Sequence, residues 1–334
     1  MNKYMIFPIW LQMFDNTNIT TDTGMTVEMK EFYDKVLIKN AEPQLIHDQF
    51  AQKRNIPQGS GNIIKFRRYA QLAKATTPLT EGVTPSGQKI SVSEISATVH
   101  QYGAYVELSD VLILETIDNN MVEATELLGS QAGRTLDTIT REIINGGTNV
   151  QYAEGAHTSR VTLVGGATTG NDYLTVRAVR MAVRTLSEVN ARKPDGQFYA
   201  GILHPDIKFD LMDDDEWKLP HEYQDTKNLY NNEIGEIGGV RFVESTEAKV
   251  WASAGADGRS VYSTLILGAD AYGTTEIEGG GLQHIVKQLG SAGTADPLNQ
   301  RATVGWKATK TAVRLLEENI VRIETTSSVN GAAN

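Results

Sequence analysis

The chain has 334 residues, 40% of them hydrophobic and 22% charged, which allows a large core and two domains and excludes a disordered chain. Lys and Arg number 31 against 41 Asp and Glu, a net charge of −10, so the overall balance opposes tight gripping of nucleic acid while still permitting its enclosure. Cysteine is absent, which excludes disulfides, thiolate metal sites and a cysteine nucleophile, and no run of 18 apolar residues exists to cross a membrane as a helix.

The opening MNKYMIFPIWLQMF sets Lys3 before an apolar run, as a signal peptide does. The run is short, contains Pro8 and lacks a small-residue cleavage site before Asp15, so a mature N-terminal arm is expected. Thr26 to Ile38 has helical spacing, with Met29, Phe32, Val36 and Leu37 forming a stripe. Glu28 and Glu31 stand in its first turn, where the helix dipole favours acids. A short helix is expected from Pro43 to Gln52, a turn from Ile56 to Gly61, and then the strand NIIKFRRYA.

Pro78, Gly82, Pro85 and Gly87 form a loop, after which Ile90 to Leu108 reads as one strand. At about 3.3 Å per residue it would extend roughly 60 Å. Neither of its alternating faces is apolar throughout, and only Val106 and Leu108 look like core. Paired with NIIKFRRYA it makes a long two-stranded arm, and such a ribbon is marginal in water unless it lies on something. A second copy of the chain is the simplest support; an ordinary hairpin edging a larger sheet is the alternative. Within the arm, Arg67 and Arg68 point to opposite faces, so each can meet a partner on its own side.

Ser109 caps a short helix, DVLILETI. A long helix follows from Asn119 to Asn145, with Leu128, Ala132, Leu136, Ile139 and Ile143 on one face and Asn145-Gly146-Gly147 ending it. Gly129 and Gly133, one turn apart, suit close backbone packing. Short strands and helices then alternate. VTLV at 161–164 is expected as a strand, Asn171 to Asn190 as a helix, and FYAGIL at 198–203 as a strand. A helix is expected to open at His204-Pro205-Asp206, followed by strands in GVRFVES and STLILGA. Residues 271 to 300 read as glycine-rich and irregular, and Thr309 to Thr325 as a strand pair returning to the first half.

Few residues suggest chemistry. Asp213 to Glu216 are four consecutive carboxylates, but metal loops use spaced ligands and a turning glycine, so a solvated helix end is the better reading. The six histidines, His47, His100, His157, His204, His221 and His284, show no helical metal spacing. No G-x-S-x-G elbow is present, and Ser187 and Ser245 have no evident base for a triad with His204 and Asp206. GGATTG, GADG and GGG match no phosphate-binding pattern. Arg177, Arg180 and Arg184 line one helix face, which reads as solvated surface more readily than as a phosphate site. No catalytic residue, metal ligand or cofactor is assigned.

Taken in order, MKEFYDKVLIKNAEPQLIHDQFAQKRNIPQGSGNIIKFRRY, KATTPLTEGVTPSGQKI, EATELLGSQAGRTLDTITREIINGGTNV, HPDIKFDLMDDDEW, NNEIGEIGGVRFVEST and DPLNQRATVGWKA resemble the major capsid proteins of tailed double-stranded-DNA bacteriophages. The branch they resemble most is the coat proteins of the N4-like short-tailed phages. The resemblance implies an α+β fold of the Hong Kong capsid type. Its parts would be an N-terminal arm at 1–30, an extended hairpin or E-loop at 62–109, an axial domain at 151–300 around a small mixed sheet, and a tail at 326–334. The peripheral domain would be 31–61, 110–150 and 301–325, with the long helix as its spine. Arg67, Arg68, Leu79, Glu81, Lys89, Ile95, Val99 and Tyr102 are the candidate subunit contacts.

The implied function is a virion shell subunit, assembled in the bacterial cytoplasm, enclosing double-stranded DNA without reading its sequence. The implied partners are further copies in hexamers and pentamers, portal and scaffolding proteins, and an optional decoration or cement protein, with no membrane. An encapsulin-like nanocompartment is the rival sharing the fold. A soluble metal-dependent enzyme using Asp213 to Glu216 is the rival from another class.

Overall fold

The computed structural model describes residues 45–70, 72–115, 120–155, 157–165, 172–214, 216–217, 233–291, 293 and 296–329. The expected arm, the Thr26 to Ile38 helix and His221 lie outside them. The chain runs through β1 (Gln52–Lys53), β2 (Ile63–Tyr69), β3 (Val92–Thr98) and β4 (His100–Ser109) to the helices α1 (Asp110–Glu115) and α2 (Asn120–Asn145). Next come β5 (Val150–Tyr152), α3 (Val176–Glu188), β6 (Tyr199–Leu203) and α4 (Pro205–Asp213). β7 (Glu233–Ile237), β8 (Val240–Glu244), β9 (Val250–Trp251) and β10 (Val261–Leu267) follow. The chain closes with β11 (Tyr272–Thr275), β12 (Gln283–Lys287), β13 (Arg301–Arg314) and β14 (Ile320–Thr325).

The helix α2 is amphipathic, and its apolar stripe decides where it lies. Leu128, Ala132 and Leu136 recur every four residues and pack on Val304, Trp306 and Ala308, alternate residues of β13 that share one face. The Trp306 indole N–H donates to Gln131 Oε1 at 3.3 Å. β13 is the spine of the first sheet, whose path runs β1, β11, β13, β12 with β4 also paired to β13. Gly305 fixes the β4 register: a Cβ there would stand 2.8 Å from that of Tyr105 and 2.9 Å from the Ala104 carbonyl.

The second sheet runs β5, β14, β10, β6, β8, β7, with β9 on β10. Both faces are covered, so its inner strands bury every residue of VYSTLIL and YAGIL. One face, with Tyr199, Leu203, Phe242, Tyr262 and Ile266, packs under α3 and α4 against Val179, Leu186, Ile207 and Leu211. The opposite face, with Ile202, Val243, Leu265 and Leu267, meets Ile144 at the end of α2 and Tyr272 of β11. That second core joins the two sheets.

Several buried polar groups at the junction pair with one another. The Asp137 carboxylate accepts the His47 amide at 2.8 Å and lies 2.6 Å from His47 Nδ1. Asp48 accepts from the Thr140 hydroxyl at 2.7 Å and pairs with Lys310, which also donates to the Leu136 carbonyl at 3.0 Å. Burial pushes the Tyr272 hydroxyl well above its ordinary pKa, and the carboxylates of Asp48 and Asp137 push the same way. In the second sheet, Glu324 is fully buried and takes a two-pronged contact from Arg160, with both bonds at 2.7 Å, while Arg322 Nε adds a third at 2.8 Å.

Several sequence expectations are corrected. Ile90 to Leu108 is two strands, because the Val99 amide donates to the Asn62 carbonyl at 2.8 Å and closes the hairpin there. β3 then pairs with β2, whereas β4 pairs with β13 from Arg301 to Lys310. His47 to Phe50 form turns in place of the expected Pro43 to Gln52 helix, since Asp137, Thr140 and Lys310 draw His47 and Asp48 into side-chain bonds. VTLV is no strand: Arg160–Thr162 is a 3₁₀ turn, and the Val164 amide donates to Asp172 at 2.7 Å. The helix expected from Asn171 begins at Val176, where the Thr175 hydroxyl accepts from the Ala178 amide at 3.1 Å. The stretch expected to be irregular at 271–300 holds β11 and β12, and β13 and β14 belong to different sheets rather than forming a pair.

Candidate functional site

The hairpin β2–β3 projects from the body, and its base is built by alternation. Even-numbered residues of β2 face inward. Phe66 is buried, with Arg54 stacked 5.7 Å from its ring centroid. Its ring leaves no space beside β11: a Cβ on Gly273 would come within 3.1 Å of it. Arg68, on the same face, pairs with Glu318 beyond β13. Odd-numbered residues face outward. Arg67 stands directly across from Glu94 of β3 at 3.3 Å, and Lys65 reaches the same carboxylate diagonally at 3.0 Å. The Lys65 contact is the main cause holding the Glu94 carboxyl below its usual range. Beyond this base, every described residue from Leu72 to Ser91 is exposed.

The eight candidate contacts therefore divide. Leu79, Glu81 and Lys89 stand on the exposed tip, and Arg67 points outward at the base. Ile95 is half-buried opposite Phe66, and Arg68 is spent on Glu318. Val99 is buried, and Tyr102 packs against the Leu128 cluster under α2. Val99 is thus spent inside its own chain, whereas Tyr102 is half-buried and keeps part of its surface open. Phe66 and Glu318 were missed. The inward phase of Ile64, Phe66 and Arg68 could have flagged the first, whereas nothing in the sequence links Arg68 to a residue 250 positions on.

Several other polar groups that the sequence brought forward have local partners. Asp214 Oδ2 accepts from the Val176 amide at 3.0 Å at the start of α3, and Glu216 pairs with Arg180 at 2.7 Å. Arg177 lies 3.6 Å from Glu154, and Arg184 2.6 Å from Glu188. His204 caps α4, its Nδ1 accepting from the Asp206 amide at 3.2 Å, and burial lowers its pKa against the pull of Asp206 and Glu244. The Ser187 hydroxyl donates to the Val183 carbonyl, and the Ser245 hydroxyl accepts from the Glu247 amide. Among the described residues no group of three or more His, Asp and Glu could hold a metal ion, and no helix is long and apolar enough to cross a membrane.

Residues 92–321, well over half of the chain, match the family model described as phage capsid protein. The chain belongs to the phage capsid protein family. Solved structures agree in fold. The capsid of Ralstonia phage GP4 superposes with a TM-score of 0.67 at 13% identity, covering 86% of this chain and 89% of that one. The cyanophage Pam1 capsid gives 0.67 at 12% identity, over 89% and 94% of the two chains. The virus-like particle from Pyrococcus furiosus gives 0.50 at 11% identity, over 89% and 99%. A search of the curated proteins returns no match. The fold is the α+β Hong Kong capsid type, and the chain is a major capsid protein of a tailed phage. Family and fold point to a structural protein, and the nanocompartment reading is not favoured.

Proposed function

We propose that copies of this capsid protein close into hexamers and pentamers, and that the hairpin from Asn62 to Val99 is the E-loop that each copy lays across its neighbour. The observation that carries this is the contrast within the hairpin. Its base is fixed to the body by Phe66 and Arg68, while its tip is exposed at every described position. A ribbon with an anchored base and an unspent tip is aimed at something outside its own chain. The proposed E-loop ends at Val99 rather than Ser109, because His100 to Ser109 is the edge of the peripheral sheet. That sheet also includes the strands at 272–275 and 283–287, and residues 320–325 pass to the other sheet with 150–152.

The shell encloses double-stranded DNA without reading it. A net charge of −10 suits a wall past which a polyanion must slide during packaging. Portal and scaffolding proteins are the further partners, the virion is the final location and the host cytoplasm the place of assembly. Electron micrographs of the purified protein test the reading. Closed round shells are expected, and a homogeneous small oligomer under all assembly conditions overturns it.

A further inference from the structure

We infer that the open face of the first sheet, the one turned away from α2, is a contact surface for the sugar–phosphate backbone of the enclosed DNA. This rests on the reading that the shell encloses double-stranded DNA, and it names the residues that touch it.

Strand register builds the surface. In β4, β13 and β12, residues that pair across the ladders share a face. Val304, Trp306 and Ala308 are turned to α2, so the residues between them point the other way. Three rows result. Lys307 lies between Gly103 and Gln283, Gly305 between Tyr105 and Ile285, and Thr303 between Glu107 and Lys287. The two glycines keep the centre low, since a Cβ on Gly103 would come within 2.6 Å of the Trp306 carbonyl. Tyr105 rises beside Gly305 and is 70% exposed.

The charges on this face are not cancelled. Lys287 is exposed and Lys307 half-buried, and neither has an acidic partner among the described residues. Glu107 is the one acid in the three rows, and Arg301 pairs with it at 3.3 Å. Two uncompensated positive charges thus share one face of a chain whose net charge is −10. The other side of the same layered unit has the opposite sign: Glu123 and Glu126 are exposed on α2 with no cationic partner among the described residues.

This chemistry fits a polyanion better than a protein. Lysine is depleted at interfaces between proteins, whose centres are apolar, whereas surfaces that meet DNA are polar and positively charged. In register Lys287 and Lys307 stand four residues apart, about 14 Å along the strands. A groove of B-DNA about 12 Å wide sets phosphates at a comparable separation. Tyr105, in the row between the lysines, can donate its hydroxyl to the same backbone. Two lysines make a weak, exchangeable contact that reads no base, so DNA remains free to slide, and repetition over many copies gives the contact its strength.

Fluorescence anisotropy of the full-length protein with a short labelled duplex tests the contact. Two phosphate contacts should make binding about twelvefold weaker at ~200 mM salt than at ~50 mM. Lys287→Glu with Lys307→Glu should remove that salt dependence and most of the affinity, alike for two duplexes of unrelated sequence. Lys287→Gln with Lys307→Gln should act in the same direction without adding repulsion. Tyr105→Ala should weaken binding and leave the salt slope unchanged. Lys74→Glu with Lys89→Glu, on the hairpin, should change neither. With every variant folded by circular dichroism, an equal loss from the hairpin pair overturns the inference, as does undetectable binding by the wild type at low salt. Lysine acetylation of particles, read by mass spectrometry, separates this idea from the shell itself. Lys287 and Lys307 should be shielded in DNA-filled particles and reactive in emptied ones. Shielding in both places a protein on the face, and reactivity in both leaves the face bare; either overturns the inference while sparing the shell. Absence of closed particles overturns the shell reading instead, and the binding measurement then decides the DNA contact alone.

Discussion

At the residue scale, Phe66, Glu324 and Glu317 hold the most consequential single contacts. Phe66 joins the hairpin to the body, so Phe66→Ala should cost about 3 kcal/mol locally. Hydrogen exchange should rise in β2 and β3 while β10 and β14 stay protected. Glu324 is buried between two guanidiniums, and Glu324→Gln leaves them uncompensated. A loss of about 3–5 kcal/mol is expected from chemical denaturation of the dissociated subunit. Glu317 supplies a pH dependence. Burial works to raise its carboxyl, but the Thr148 amide, Arg314 and the Asn149 amide outweigh it and hold it below the ordinary 4.5. Its folded-state pKa lies under its unfolded value, so its stabilisation is complete above about pH 4.5 and disappears as pH falls through the folded value. Denaturation midpoints of the wild type and Glu317→Gln should differ at pH 7 and converge in acid. An unchanged gap at pH 3 would contradict this.

At the element scale, α2 on β13 is the packing that organises the first sheet. Ala132 is wholly buried against Val304, Trp306 and Ala308, so Ala132→Leu should overpack the seam and cost about 1–3 kcal/mol, seen as a lower thermal midpoint. This helix was legible in the sequence because Leu128, Ala132, Leu136, Ile139 and Ile143 recur at helical spacing over about four turns and Asn145-Gly146-Gly147 stops it. The short buried strands β6, β8 and β10 were legible as continuous apolar runs between turn residues. The switch at Val99 was not. A β-branched residue inside an extended run carries no mark of which partner each half will choose, and that choice depends on β13, some 200 residues later. YGTT and QHIVK were missed for a similar reason: they are short, half polar, and held as strands by pairing with β13. At the candidate site, the loop chemistry of Pro78, Gly82, Pro85 and Gly87 identified the tip. The Arg68 to Glu318 pair was hidden, because nothing local marks a partner 250 positions on.

At the scale of the whole molecule, the shell is expected to hold without covalent links. No cysteine is present to link subunits, so boiling particles in detergent should release monomer-sized bands. A ladder of multimers would refute this. Deleting Leu79 to Lys89 should leave the subunit folded, since its cores lie elsewhere, and should abolish or misdirect assembly, checked by circular dichroism and sedimentation together. The continuity of β3 and β4 through Val99 has a mechanical side as well. A pull on the tip travels straight into β4, whose bonds to β13 lie across the direction of force. Such a joint is loaded in shear and must break along the whole Arg301 to Lys310 register together, whereas a hairpin peeled from its end opens one rung at a time. If the hairpin reaches a neighbour as proposed, internal pressure on the shell would be borne as tension along β4 and handed to α2 through the seam at Trp306.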